Sequence, residues 1–160
     1  MIKTTLIILF ALGLAGIFFF LYLGRVSRSG KAPGLVAGKL APCPATPNCV
    51  SSDDPPQPGQ AIEPLTFDAR VVTPTEAWSK LRESVDQMAG VRVIEFTDSY
   101  LSAECRSGLI GFVDDLELHL RPDDSTIAVR SASRVGHSDL GANRQRVEKL
   151  RHLFNAAVSR

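Results

Sequence analysis

Ten polar side chains able to donate, accept or carry charge crowd one stretch near the C-terminal end of the chain. They are Arg130, Ser131, Ser133, Arg134, His137, Ser138, Asp139, Asn143, Arg144 and Arg146. Guanidinium groups beside hydroxyls, close to a helix start, form a donor set that grips phosphate or carboxylate oxygens. Arg106 and Ser107, at the end of an earlier predicted strand, can join them, and Asp114 and Asp115 can supply counter-charge. Three uses of this set stand side by side. In the first, the arginines pair with Asp114, Asp115 and Asp139 and pin a loop to a sheet. In the second, Arg106, Arg130, Ser131, Ser133, Arg134, Asp139, Asn143 and Arg144 bind an anionic small molecule, a lipid headgroup or an envelope protein. In the third, the arginines hold a substrate while Asp114 or Asp139 acts as general base of a hydrolase or transferase.

Signals for catalysis are weak. Asp114 and Asp115 are adjacent, so on a regular strand they point to opposite faces and cannot form a carboxylate pair. His119, His137 and His152 have no ligand-like spacing, and no glycine-flanked serine nucleophile, phosphate-binding glycine loop or dinucleotide fingerprint occurs. The sequence therefore predicts neither a cofactor nor a metal site, and more readily a binding module than an enzyme. The net charge of +1 hides an uneven spread. Residues 1–31 hold four basic and no acidic residues, 32–129 seven basic and fifteen acidic, and 130–160 seven basic and two acidic. A nucleic-acid-binding domain is usually basic throughout, so a nucleic-acid partner is not expected.

Cys43 and Cys49 flank Pro44-Ala45-Thr46-Pro47-Asn48, a turn-forming stretch that can bring two cysteines within bonding range. A disulfide there fits an oxidising compartment, and the long, proline-containing spacing disfavours a redox-active or zinc pair. Cys105 falls in a predicted strand and reads as an inert buried thiol. From Thr4 to Gly24 the chain carries no charge, and Leu6 to Leu23 is apolar throughout. A helix of that length reaches about 30 Å, enough to cross a bilayer. Its small residues sit mid-segment with Phe18 to Leu23 after them, which favours an uncleaved signal anchor over a cleaved peptide. Lys3 on one side and Arg25, Arg28 and Lys31 on the other would by themselves favour a cytoplasmic domain. A Cys43–Cys49 disulfide, the reading preferred over free thiols, argues for export. Together these readings place the chain as a single-pass membrane protein with its domain exported to a periplasm or lumen.

Residues 25–64 contain eight of the ten prolines and read as a semi-stiff tether carrying the Cys43–Cys49 loop. Periodic structure starts near Leu65, with Leu65-Thr66-Phe67 and Val71-Val72 as a first strand region. Thr73-Pro74-Thr75-Glu76 is a helix start with a capping box. Ala77, Trp78, Leu81, Val85 and Met88 make one apolar helix face, and Gly90 ends it. Strands follow over 91–96, 100–105, 110–120 (with one wet face) and 126–129. A last helix begins near Ser138 or Asp139 and buries Val147, Leu150, Leu153, Phe154, Ala157 and Val158. The order β-α-β-β-β-β-α predicts an α+β domain over 65–160, a two-layer sandwich with both helices on one face of an antiparallel sheet.

Three segments carry a resemblance. They are Cys43 to Ser52 (CPATPNCVSS), Arg106-Ser107 with Gly111-Phe112-Val113-Asp114-Asp115, and Val129 to Arg144 (VRSASRVGHSDLGANR). On these the chain resembles the bacterial and plastid family catalogued as domain of unknown function 1499, over roughly residues 43–157. The resemblance implies an envelope or plastid-lumen setting, with the expectation of a bacterial inner membrane and a periplasmic domain, and brings no established activity, cofactor or catalytic residue.

Overall fold

A computed structural model describes residues 2–108 and 111–159. It opens with α1 (Ile2–Ser29), long and apolar enough over Lys3–Ser29 to cross a membrane. There follow a small hairpin of β1 (Leu35–Val36) and β2 (Lys39–Leu40), then β3 (Cys49–Ser51), a 3-10 turn (Pro58–Gln60) and β4 (Leu65–Thr66). The remainder is α2 (Pro74–Asp86), β5 (Val91–Phe96), β6 (Tyr100–Arg106), β7 (Val113–Arg121), β8 (Thr126–Ser133) and α3 (Ala142–Val158). The predicted start of β7 at Ile110 lies outside the described residues.

The main sheet is antiparallel in the order β3-β8-β7-β6-β5, and β4 also pairs with β8. This is the α+β architecture expected from the order of elements. Leu101, Ala103 and Cys105 of β6, Leu116, Leu118 and Leu120 of β7, and Ile127 and Val129 of β8 share one sheet face. Against it pack Trp78, Leu81 and Val85 of α2 and Val147, Leu150 and Phe154 of α3. The capping box at α2 is complete: the Thr73 hydroxyl accepts from the Glu76 N–H, and Glu76 accepts from the Thr73 N–H.

Several elements differ from expectation. Val71 and Val72 are not a strand; their N–H groups bond back to the Asp68 carbonyl, and the Asp68 carboxylate accepts from the Arg70 N–H. An aspartate-led turn overrides the valines' strand preference. Helix α2 stops at Asp86, ahead of Gly90, whose φ of +76° swings the chain into β5. A side chain at Gly90 would meet the Arg106 carbonyl oxygen at 2.9 Å, so this corner requires glycine. Helix α3 starts at Ala142, after Gly141 in the left-handed region. Strand β8 runs to Ser133, four residues past the expected end.

Over β7 and β8 the second face of the sheet is largely covered, not wet as expected. Leu40 packs on Tyr100 and Ala128, and the Cys43–Cys49 disulfide packs on Ala132. The Gly34 N–H donates to Glu117 Oε1 at 2.8 Å, and the Leu40 N–H donates to Asp53 Oδ2 at 2.9 Å. The proline-rich segment, expected as a tether, thus lies across the sheet as a strap. Its prolines exclude long elements, but backbone groups that remain find buried acids, Glu117 on β7 and Asp53 just past β3.

Candidate functional site

Strand alternation decides the fate of the predicted cluster. Sequence reasoning put 130–134 in a loop, where all its side chains can converge; on β8, Arg130 and Ser131 point to opposite faces. On the strap side, Arg130 Nη1 donates to Glu117 Oε2 at 2.7 Å, and Glu117 Oε1 also accepts from the Tyr100 hydroxyl at 2.8 Å. Burial, then the Glu117 carboxylate, pushes the Tyr100 phenol far above its ordinary pKa. Arg134 donates from Nη2 and Nε to Asp115 at 2.6 Å and 3.0 Å, and from Nη1 to Glu104 at 3.3 Å. Glu104 accepts from Arg92 at 2.8 Å as well, and chiefly this bond holds its carboxyl below the usual range.

On the helix side, the Ser131 hydroxyl donates to Asn143 Oδ1 at 2.7 Å. Asn143 Nδ2 donates to Ser133 Oγ and to the Asn48 carbonyl, each at 3.0 Å. Arg146 donates to Ser131 Oγ at 2.8 Å and to Asp114 Oδ2 at 2.7 Å, and also bonds Asn143 Oδ1. Arg144 is drawn away to the carbonyls of Gly59 and Ala61, at 3.0 Å and 2.7 Å. Asp139 accepts from the N–H groups of Asn143 (2.8 Å) and Gly141 (3.1 Å), closing the start of α3. Burial works against the charged form there, yet those backbone bonds outweigh it and keep the Asp139 carboxyl below its ordinary value. A carboxylate so engaged is a poor proton acceptor.

Most of the predicted set therefore forms two structural networks back to back across β8. Arg106 stands apart. It ends β6, about half of its side chain is exposed, and Glu104 lies 3.6 Å from it. Arg106 lines an open cleft of about 260 Å³ with Arg146, Lys149 and Gln145 of α3, the Met88–Val91 turn and the buried Cys105. Burial pushes the Cys105 thiol up to about 11, so it contributes no charge to the cleft. Lys149 was not singled out from the sequence, although Ala142, Gln145, Arg146 and Lys149 recur at three- and four-residue spacing, the signature of one helix face. A second cleft, of about 330 Å³ beneath the strap, is lined by Glu95, Glu104 and Asp115 against Lys31 and Arg134. Its acidic excess disfavours anions. Among the described residues no group of three or more His, Cys, Asp or Glu is placed to hold a metal ion.

The end of the sheet that carries Arg106 is also where α1 arrives. The Val113 N–H donates to Ser27 Oγ at 3.1 Å, Arg134 Nη1 donates to the Ser27 carbonyl at 3.0 Å, and Arg28 Nε donates to the Gly111 carbonyl at 3.4 Å.

A family model described as protein of unknown function, DUF1499, matches residues 39–154, most of the chain. No curated protein and no solved structure matches the chain significantly. The chain belongs to the DUF1499 family.

Proposed function

For this member of the DUF1499 family, we propose a non-enzymatic, membrane-anchored module of the bacterial envelope that binds an anionic group in the cleft between Arg106 and Lys149. The exposed apolar α1 supports the anchor, and the Cys43–Cys49 disulfide supports a domain on the oxidising side of the membrane. One observation carries the site. The carboxylates that neutralise Arg130, Arg134 and Arg146 are all engaged, whereas the cleft adds Lys149 and Arg106, whose one ion-pair partner among the described residues is Glu104 at 3.6 Å. With Arg146 balanced by Asp114, Arg106 and Lys149 at one opening set up a local positive potential that attracts phosphate or carboxylate groups. The general-base reading has no comparable support: Asp114 is held by Arg146 and Asp139 by backbone N–H groups.

Inorganic phosphate, titrated into the full-length protein in detergent micelles, tests this reading through the thermal midpoint of unfolding. The expected result is a concentration-dependent rise that the Arg106→Ala, Lys149→Ala double variant loses. An unchanged midpoint, or the same rise in both proteins, contradicts it.

A further inference from the structure

We infer that the α1-proximal end of the domain rests on anionic phospholipid headgroups of the bilayer that α1 enters, with Leu140 dipping among them and Arg106 and Lys149 above. This deepens the anion-binding reading of the cleft and rests on it. The argument starts from topology. Ser27, in the last turn of α1, bonds to Val113 at the start of β7 and to Arg134 just past the end of β8. The apolar body of α1 runs outward from that point and is not buried in the domain. A bilayer around α1 therefore lies beyond this end of the sheet. Antiparallel pairing places the end of β6 at the same level, since Arg106 is opposite Val113, and the start of β5, since Val91 is opposite Cys105. Ser133, opposite Asp114 and bonded to Asn143, brings the start of α3 there as well.

What this end presents fits a headgroup layer. Leu140, in the loop before α3, is 91 % exposed and is held with φ of +53°. A bulky apolar residue in that backbone region is uncommon, and here it projects into solvent instead of into the core. The same end of the domain carries Arg25 and Arg28 on α1, Arg106 on β6 and Lys149 on α3, with Asp139 beside Leu140 in the chain. The carboxylates near this end, Glu104, Asp114, Asp115 and Asp139, are all bonded to arginines or backbone N–H groups. An exposed apolar residue on the same end as a set of basic side chains is surface chemistry that suits anionic lipid, and α1 supplies the proximity that makes each weak contact count.

The test uses the full-length chain carrying Leu140→Cys, or Val71→Cys as the control, each bearing a nitroxide spin label. Val71 is 71 % exposed and lies beside the start of α2, at the other end of the domain. Cys105 is buried and the other two cysteines are bonded to each other, so the label goes to the new thiol. The protein is placed in lipid nanodiscs of phosphatidylcholine, with or without about one-third phosphatidylglycerol, and collision with a water-soluble nickel chelate is read. At position 140 the collision rate should fall about threefold or more when phosphatidylglycerol is present, relative to position 71, and recover with Arg106→Glu and Lys149→Glu. Equal collision rates at 140 and 71, or equal protection with and without the anionic lipid, overturn the inference. The phosphate titration separates the two ideas. If phosphate stabilises the protein while position 140 stays in water, the cleft reading stands and the lipid inference fails; if phosphate has no effect, the cleft reading fails.

Discussion

Arg130 and Glu117 are almost sealed from solvent, with 7 % and 0 % of their side chains exposed, and each balances the other's charge there. A buried pair adds little over a well-packed apolar one, but removing a single partner strands a charge. Glu117→Ala should therefore destabilise the protein by about 3–5 kcal/mol in denaturant unfolding, whereas Arg106→Ala, at a half-exposed position, should cost about 1 kcal/mol or less. Arg130 would have looked the stronger site residue from sequence, because arginine next to serine carries the same signature in a site as in a network. Only the strand assignment separates them. Cys105 gives a second test at this scale. With its pKa raised to about 11, almost no thiolate exists near neutral pH, and the group is buried. Maleimide should leave the native protein unlabelled, label one cysteine after denaturation, and label three once reductant is added.

Helix α3 illustrates how much of an element its sequence reveals. Its buried face was legible because Val147, Leu150 and Phe154 repeat at helical spacing. Its start was displaced because Asp139 satisfies free N–H groups from two and four residues before them, with Gly141 bending the chain between. The consequence is pH-dependent. The folded Asp139 carboxyl titrates below its ordinary value of 3.8, so the folded state holds that proton less tightly than the unfolded chain. Its stabilisation is present above pH 3.8 and is lost as pH falls through the lower, folded value. Asp139→Ala should cost about 1 kcal/mol at neutral pH, solvent screening keeping the effect small, and the gap from wild type should close on acidification below pH 3.8 in thermal melts. Strand β3 was not legible at all. Three residues in a proline-rich stretch carry no periodicity; the strand is held to β8 by its ladder, by the Ser133 N–H on the Asn48 carbonyl and by the disulfide packed on Ala132. Replacing Cys43 and Cys49 by serine should lower unfolding stability by about 2–3 kcal/mol in the chain-entropy account, and loosen this edge first in hydrogen exchange.

Across the whole molecule, the apolar N-terminal helix and the layered α+β domain were visible in composition and periodicity, because each rests on a repeating pattern. The path of residues 31–43 was not, because a strap has no period: it is defined by the buried acids it serves, Glu117 and Asp53. The proposed cleft was legible in part: Arg106 and Arg146 stand out in the sequence, whereas Lys149 is hidden in a helix face that serves equally well as a solvated surface. The molecule that results has its charges neutralised inside and left in surplus at the end α1 enters. Native mass spectrometry of the full-length protein, extracted gently from its own membrane, tests that account most directly. It predicts an anionic adduct on the wild-type chain that survives Arg144→Ala and disappears in the Arg106→Ala, Lys149→Ala variant. A bare wild-type mass, or the same adduct retained by the double variant, would contradict it.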